Sequence, residues 1–179
     1  MKLPILKYDN PVLRRRALPI AEITPQIIQL AHDMIETMSA SNGVGLAAVQ
    51  VGHLVRMFVL RDELEDSDED DAFAAPEVFI NPHLSKPSEE KEESLEGCLS
   101  LPHLQLEIMR PQSISIRYQN LKGEWIEERL ENLRARIAMH ENDHLNGTLI
   151  IDRIDRKKRS QIEPRLRKIA AGRTYTKTT

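Results

Sequence analysis

The chain has 179 residues, of which 40% are apolar and 30% charged, with a net charge of −3. That is ample for one domain with a substantial core, and it speaks against a disordered chain. No apolar run approaches the length of a membrane span, and the opening MKLPILKYDN lacks the apolar stretch of a signal peptide, so a cytoplasmic protein with no membrane partner is expected.

Taken in chain order, Thr24 and Pro25 make a helix start, a capping hydroxyl followed by proline at the first helical position. Ile27, Ile28, Leu30, Ala31, Met34, Ile35 and Met38 then recur at helical spacing, and Ser41-Asn42-Gly43 closes this N-terminal helix. The glycine-flanked stretch Gly43 to Gly52 reads on its own as a tight turn into a strand, or as a place where another chain approaches the backbone closely. A strand is expected over 54–60, and another over 78–80. Between them lies the acidic run ELEDSDEDD (63–71), read as part of a solvated loop over about 61–77.

Further on, Ile114, Ile116 and Tyr118 alternate with polar residues, and Asn120 to Gly123 turns into 124–130, which predicts a hairpin. A second helix is expected from about Asn132 to Leu145, stopped by Asn146-Gly147. Leu149 to Ile151 is a short strand candidate. A basic C-terminal helix is expected over about 155–171, with Pro164 either kinking it or marking its first turn. No repeat or linker interrupts the chain, so the elements predict a single α+β domain over 1–179.

The strongest chemical signal is His140-Glu141-Asn142-Asp143-His144, an H-E-x-x-H sequence on the second predicted helix. Residues four apart share a helix face, so both imidazoles can bind one metal ion, and Glu141 is placed to act as a general base beside it. A catalytic site of this kind needs a third ligand. Cys98, in Glu96-Gly97-Cys98-Leu99-Ser100, is the natural candidate, although a lone cysteine is also commonly an ordinary buried residue. Its glycine and polar neighbours argue against a simple core strand. Leu133, Arg136 and Ile137 precede His140 by seven, four and three residues and so share its face. With Val44 they either wall a pocket for an unbranched apolar side chain, Arg136 lending its aliphatic stem, or simply belong to the core.

Three segments, Gly43 to Gln50 (GVGLAAVQ), Glu96 to Ser100 (EGCLS) and His140 to His144, together resemble the peptide deformylase family, whose motifs G-x-G-x-A-A-x-Q, E-G-C-L-S and Q-H-E-x-D-H occur in this order. The resemblance runs from about Pro11 to Asp152. It implies antiparallel sheets packed around a central metal-binding helix. It also implies a hydrolase that removes the formyl group from the N-terminal methionine of nascent polypeptides. On that basis Cys98, His140 and His144 hold one divalent metal, Fe2+ foremost, with Zn2+ or Ni2+ as alternatives. Glu141 is the acid–base group, and the Gln50 side chain and the Leu99 backbone N–H stabilise the oxyanion. On the pocket reading of the helix face, Val44, Leu133, Arg136 and Ile137 face the substrate side chain, and Gly45 fits a peptide backbone lying alongside as an added strand.

The chain departs from the family pattern at Val49, usually proline, which predicts a looser hold on Gln50, and at His103, Met139 and Asn142. Two other readings stand beside this one: a zinc endopeptidase, against which the cysteine ligand speaks, and a deformylase-like metal-binding protein without activity. A monomer with no DNA partner is expected. The basic tail is either an exposed helix face or a contact to an anionic partner, for which the ribosome is the candidate.

Overall fold

The computed structural model describes residues 1–62 and 74–172, so the acidic run lies outside the described residues. Helix α1, Pro25–Ala40, begins where the Thr24 hydroxyl accepts the Ile27 N–H, with proline in the first turn as the sequence predicts. Seven strands follow among the described residues: β1 Gly45–Ala47, β2 Met57–Leu60, β3 Glu77–Ser85, β4 Lys91–Cys98, β5 Leu101–Pro111, β6 Ser113–Gln119 and β7 Trp125–Glu131. The expected strand over 54–60 is shorter than read. Its first residues make only an isolated parallel bridge, Leu18 to Val55.

Five strands form one antiparallel sheet in the order β1-β2-β3-β6-β7, and β4 and β5 pair as a separate two-stranded sheet. The predicted hairpin is β6–β7, in register from Ser113 opposite Glu131 to Gln119 opposite Trp125. The β4–β5 hairpin was not anticipated. Its first strand opens Lys-Glu-Glu-Ser and is mostly exposed, which hides the apolar alternation that marks a strand.

Helix α2, Asn132–Leu145, leaves β7 with no intervening loop, and the Asn132 N–H donates to the Gln112 carbonyl at 2.8 Å. Ala135, Ile137 and Ala138 pack into the cluster holding Phe58, Phe79 and Tyr118 of the large sheet, while small side chains let the helix lie close to it. A second cluster joins Met34 and Met38 of α1 to Leu46, Met57 and Val59. A third gathers Leu101, Leu104, Leu106 and Ile108 of β5 around Leu149, Ile150 and Ile151 and the C-terminal Leu166.

After α2 the chain turns at Gly147, whose φ of 74° is the left-handed backbone that glycine accepts; a Cβ there would lie 2.5 Å from the Arg14 carbonyl oxygen. The strand expected at Leu149 to Ile151 is instead a 3-10 turn, Ile150–Asp152. The reason is local: the Asp152 carboxylate accepts the Leu149 N–H at 2.8 Å and curls the segment before it can pair with a sheet. Helix α3, Arg156–Ala170, is capped by Asp155, which accepts the Lys158 N–H, and Pro164 lies in its interior rather than in its first turn. No helix among the described residues is long and apolar enough to cross a membrane.

Candidate metal centre and active site

Cys98 is the last residue of β4, at a register shift where the hairpin turns through Leu99 and Ser100 into β5. His140 and His144 stand one turn apart on α2. The three side chains offer ligand atoms all within 4.8 Å of one another, and Cys98 Sγ lies 3.3 Å from His144 Nε2. Sulfur and nitrogen donors at such separations suit a divalent ion with tetrahedral preference, for which neighbouring donors stand roughly 3.5 Å apart. His140 Nδ1 is engaged by Glu96 Oε2 at 2.9 Å, which leaves Nε2 as the ring's free donor. The three residues therefore fit a metal ion.

Buried charge holds this arrangement in place. Glu96 accepts two bonds from Arg110, Nε at 2.6 Å and Nη2 at 2.9 Å, and a third from Arg136 Nη1 at 2.9 Å. Arg110 also reaches Asp143 Oδ2 at 2.9 Å, and Arg153 binds the same carboxylate from the outside. Burial alone would raise the Glu96 pKa, but the bonds from Arg110 and His140 outweigh it and hold the group at about 2. Glu96 is thus an anion that orients His140.

The two histidines are pushed in opposite directions in the polypeptide alone. Burial lowers His144, and the nearby charges of His140 and Arg110 push it further down. Burial also works against a charged His140, but hydrogen bonds to Cys98 and Glu96 prevail and raise it. Glu141, between them in sequence, is driven up to about 7, chiefly by burial, and its Oε2 is a buried atom without a hydrogen-bond partner among the described residues. A carboxyl that titrates near neutrality can both take and give a proton.

Above these groups opens a cavity of about 1070 Å³, lined by Val44, Gly45, Gln50, Cys98, Leu99, Leu133, Arg136, Ile137, His140 and Glu141. The sequence singled out each of these residues, and the fold brings them to one place. Only His144, 1% exposed, stands behind the lining. Gly45 explains the close approach of β1 to α2, because a Cβ there would sit 2.4 Å from Glu141 Oε1 and 2.9 Å from Ile137 Cγ2. Leu133 is partly exposed at the mouth, Ile137 is buried, and the Arg136 guanidinium is anchored on Glu96 and on the Ile108 and Glu92 carbonyls. What Arg136 presents to the cavity is therefore its stem.

Gln50 is held firmly without the family's proline before it. Its Oε1 accepts the Ala47 N–H at 2.8 Å, and its Nε2 donates to Ser100 Oγ at 3.1 Å beside Cys98 Sγ at 3.6 Å. Asn142, polar where the family is apolar, accepts from Arg56 Nη2 at 3.1 Å. The roles of Arg110 and Asp143 escaped the sequence reading. The available signal was Arg110 at the same strand parity as Leu106 and Ile108, a charge on a buried face.

The antiparallel α+β frame and a Cys-His-His centre beside a buried glutamate define a metal-binding hydrolase. The family model for polypeptide deformylase matches residues 2–160. The peptide deformylase of Thermotoga neapolitana is 44% identical over 163 residues, covering 91% of this chain and 93% of that one. That of Psychrobacter cryohalolentis is 41% identical over 167 residues, covering 93% and 87%. Among solved structures, the peptide deformylase of Thermotoga maritima superposes with a TM-score of 0.78 at 42% identity, over 87% of this chain and 99% of that one. The enzyme from Ehrlichia chaffeensis gives 0.87 at 32% identity, over 96% and 98%. The chain belongs to the polypeptide deformylase family.

Proposed function

We propose that this chain hydrolyses the formyl amide at the N-terminal methionine of nascent polypeptides, releasing formate, with Cys98, His140 and His144 holding Fe2+. The observation that carries the reading is the buried Glu141 carboxylate, free at Oε2, beside a three-donor metal set in one open cavity. When bound, the metal supplies Lewis acidity that brings a water's pKa toward neutrality, and Zn2+ or Ni2+ can serve in the same donors. Glu141 takes the proton from the attacking water and returns it to the departing amine. The Gln50 carboxamide and the Leu99 N–H donate to the oxygen that gains charge when the formyl carbon becomes tetrahedral.

Val44, Ile137, Leu133 and the Arg136 stem supply an apolar wall for the methionine side chain, and Gly45 leaves room for the substrate backbone. A cytoplasmic location and a monomeric state agree with nascent chains as substrates. The basic face of α3 is the surface we assign to ribosome contact, on the ground of its charge. Reversal of Arg156, Lys157 and Lys158 then abolishes co-sedimentation with ribosomes at low salt, and unchanged co-sedimentation would remove that assignment. Arg159 is left intact because its guanidinium donates to the Tyr8 hydroxyl at 3.1 Å.

The activity itself is tested by formate release from formyl-methionyl and formyl-alanyl peptides, using Fe2+-loaded protein purified without oxygen. Glu141→Ala is expected to lower kcat about a thousandfold while the metal stays bound. A metal-loaded wild type that releases no formate sinks the reading. Equal kcat/KM for the two peptides removes the methionine pocket and leaves the hydrolysis standing.

A further inference from the structure

The N-terminal arm crosses the site through three bonds. The Leu6 N–H donates to the Gln50 carbonyl, the Lys7 ammonium to the Leu99 carbonyl and the Tyr8 N–H to the Ser100 carbonyl, each at 2.8 Å. Gln50 and Ser100 are themselves joined side chain to side chain. The arm therefore ties together two segments distant in sequence, and these carry the two oxyanion donors proposed above. Two of its bonds are backbone to backbone and indifferent to side-chain identity. The third depends on Lys7 being a lysine.

Lys7 lines the cavity with Gln50, Cys98 and Leu99. Leu99 itself lies in the turn between β4 and β5, so its Leu99–Ser100 peptide falls outside the ladder, while the Cys98–Leu99 peptide begins at Cys98, paired with Leu101. We infer that Lys7 is a positioning residue for deformylation: its ammonium fixes the Leu99–Ser100 peptide and so limits rotation about the Leu99 Cα, which holds the preceding Cys98–Leu99 peptide and the N–H it carries. A charge-assisted bond is about twice as strong as a neutral one and suits this task. An oxyanion donor acts through being aimed in advance, so loosening the turn reduces turnover without removing the donor. The inference rests on the reading of Gln50 and Leu99 as the oxyanion donors.

The test measures kcat, KM, bound metal and Tm for Lys7→Met and Lys7→Arg with a formyl-methionyl peptide. Lys7→Met is expected to lose kcat about tenfold, less than the hundredfold or more that follows deletion of a donor. KM, metal content and Tm stay near wild type, and Lys7→Arg regains most of the loss, since a guanidinium can donate to the same carbonyl. Should Lys7→Met fail to fold, Lys7→Leu, which likewise has no donor, is read in the same way. Unchanged kcat, a change confined to KM, a loss that follows metal content, or no recovery in Lys7→Arg overturns the inference. Gln50→Ala separates the two levels. If its kcat is intact, the oxyanion reading itself fails; if its kcat falls while Lys7→Met is unaffected, only the role of Lys7 is lost.

Discussion

Helices α2 and α3 are almost equal in length, 14 and 15 residues, and both are rich in charge, yet they use it in opposite ways. In α2 the residues Arg136, His140, Glu141, Asp143 and His144 are all buried, whereas in α3 Leu166 is the buried residue. Burying a charge is tolerated only with a partner, and α2 meets this through Glu96 and Arg110 reaching in from the β4–β5 hairpin. The charges of α3 lie toward the surface: pairs within the helix are loose, such as Arg167 with Glu163 at 3.6 Å, and Arg159 and Arg165 donate to the Tyr8 hydroxyl and the His103 carbonyl. The contrast shows where to look for chemistry. In the buried set Glu141 Oε2 and His144 Nδ1 have no partner among the described residues, and burial moves the Glu141 pKa to about 7.

The contrast is broken most severely at Arg110, 2% exposed and bonded to both Glu96 and Asp143. Arg110→Met keeps much of the side-chain volume but removes the cation shared by two buried carboxylates, leaving Glu96 to Arg136 and His140 and Asp143 to Arg153. It is expected to reduce stability by about 3–5 kcal/mol. Because Glu96 also orients His140, metal affinity should fall by about ten- to a hundredfold. Urea unfolding and a metal competition titration measure the two effects. A variant as stable as wild type would mean that the network is not the support of α2 described above.

How much of this was legible beforehand follows from the same physics. The H-E-x-x-H helix, α1 and the β6–β7 hairpin announced themselves because periodicity, caps and turn residues agreed. The Cys98, His140 and His144 donor set was legible because each of the motifs that carry it is local. The β4–β5 hairpin was not, since its outer strand is charged and exposed, and with it went the meaning of Arg110. Lys7 was equally hidden, because its contact with Leu99 spans 92 positions and no local pattern encodes it. Leu149 to Ile151 misled for the converse reason: a short apolar run looks like a strand, but one Asp152 side-chain bond decides otherwise.

Between the two helices lies an intermediate case, Asp152, which pairs with Arg14 while both side chains remain more than a third exposed. Burial would raise the Asp152 pKa, but Arg14 and the Leu149 N–H outweigh it and hold the group below the usual carboxylate range. A depressed folded pKa contributes stability that is fully present above the unfolded value of about 3.9 and is lost as pH falls through the folded value. Asp152→Asn should therefore be less stable than wild type at neutral pH, with the gap closing below about pH 4. Unfolding curves collected across that range decide it: a gap that does not change with pH assigns the loss to packing rather than to charge.

The smallest effect belongs to α3. Lys158 lies 3.6 Å from Glu93 and 3.7 Å from Glu107, with all three side chains well exposed. Such pairs are screened and contribute little. Reversing Arg156, Lys157 and Lys158 should change stability by no more than about 0.5–1 kcal/mol and leave formate release from a short peptide intact. A large loss of stability would show that α3 depends on its charges as α2 does, and the contrast between the helices would collapse. A near-neutral result, combined with lost ribosome co-sedimentation, would instead mark the exposed charge as serving a partner and the buried charge as serving the reaction.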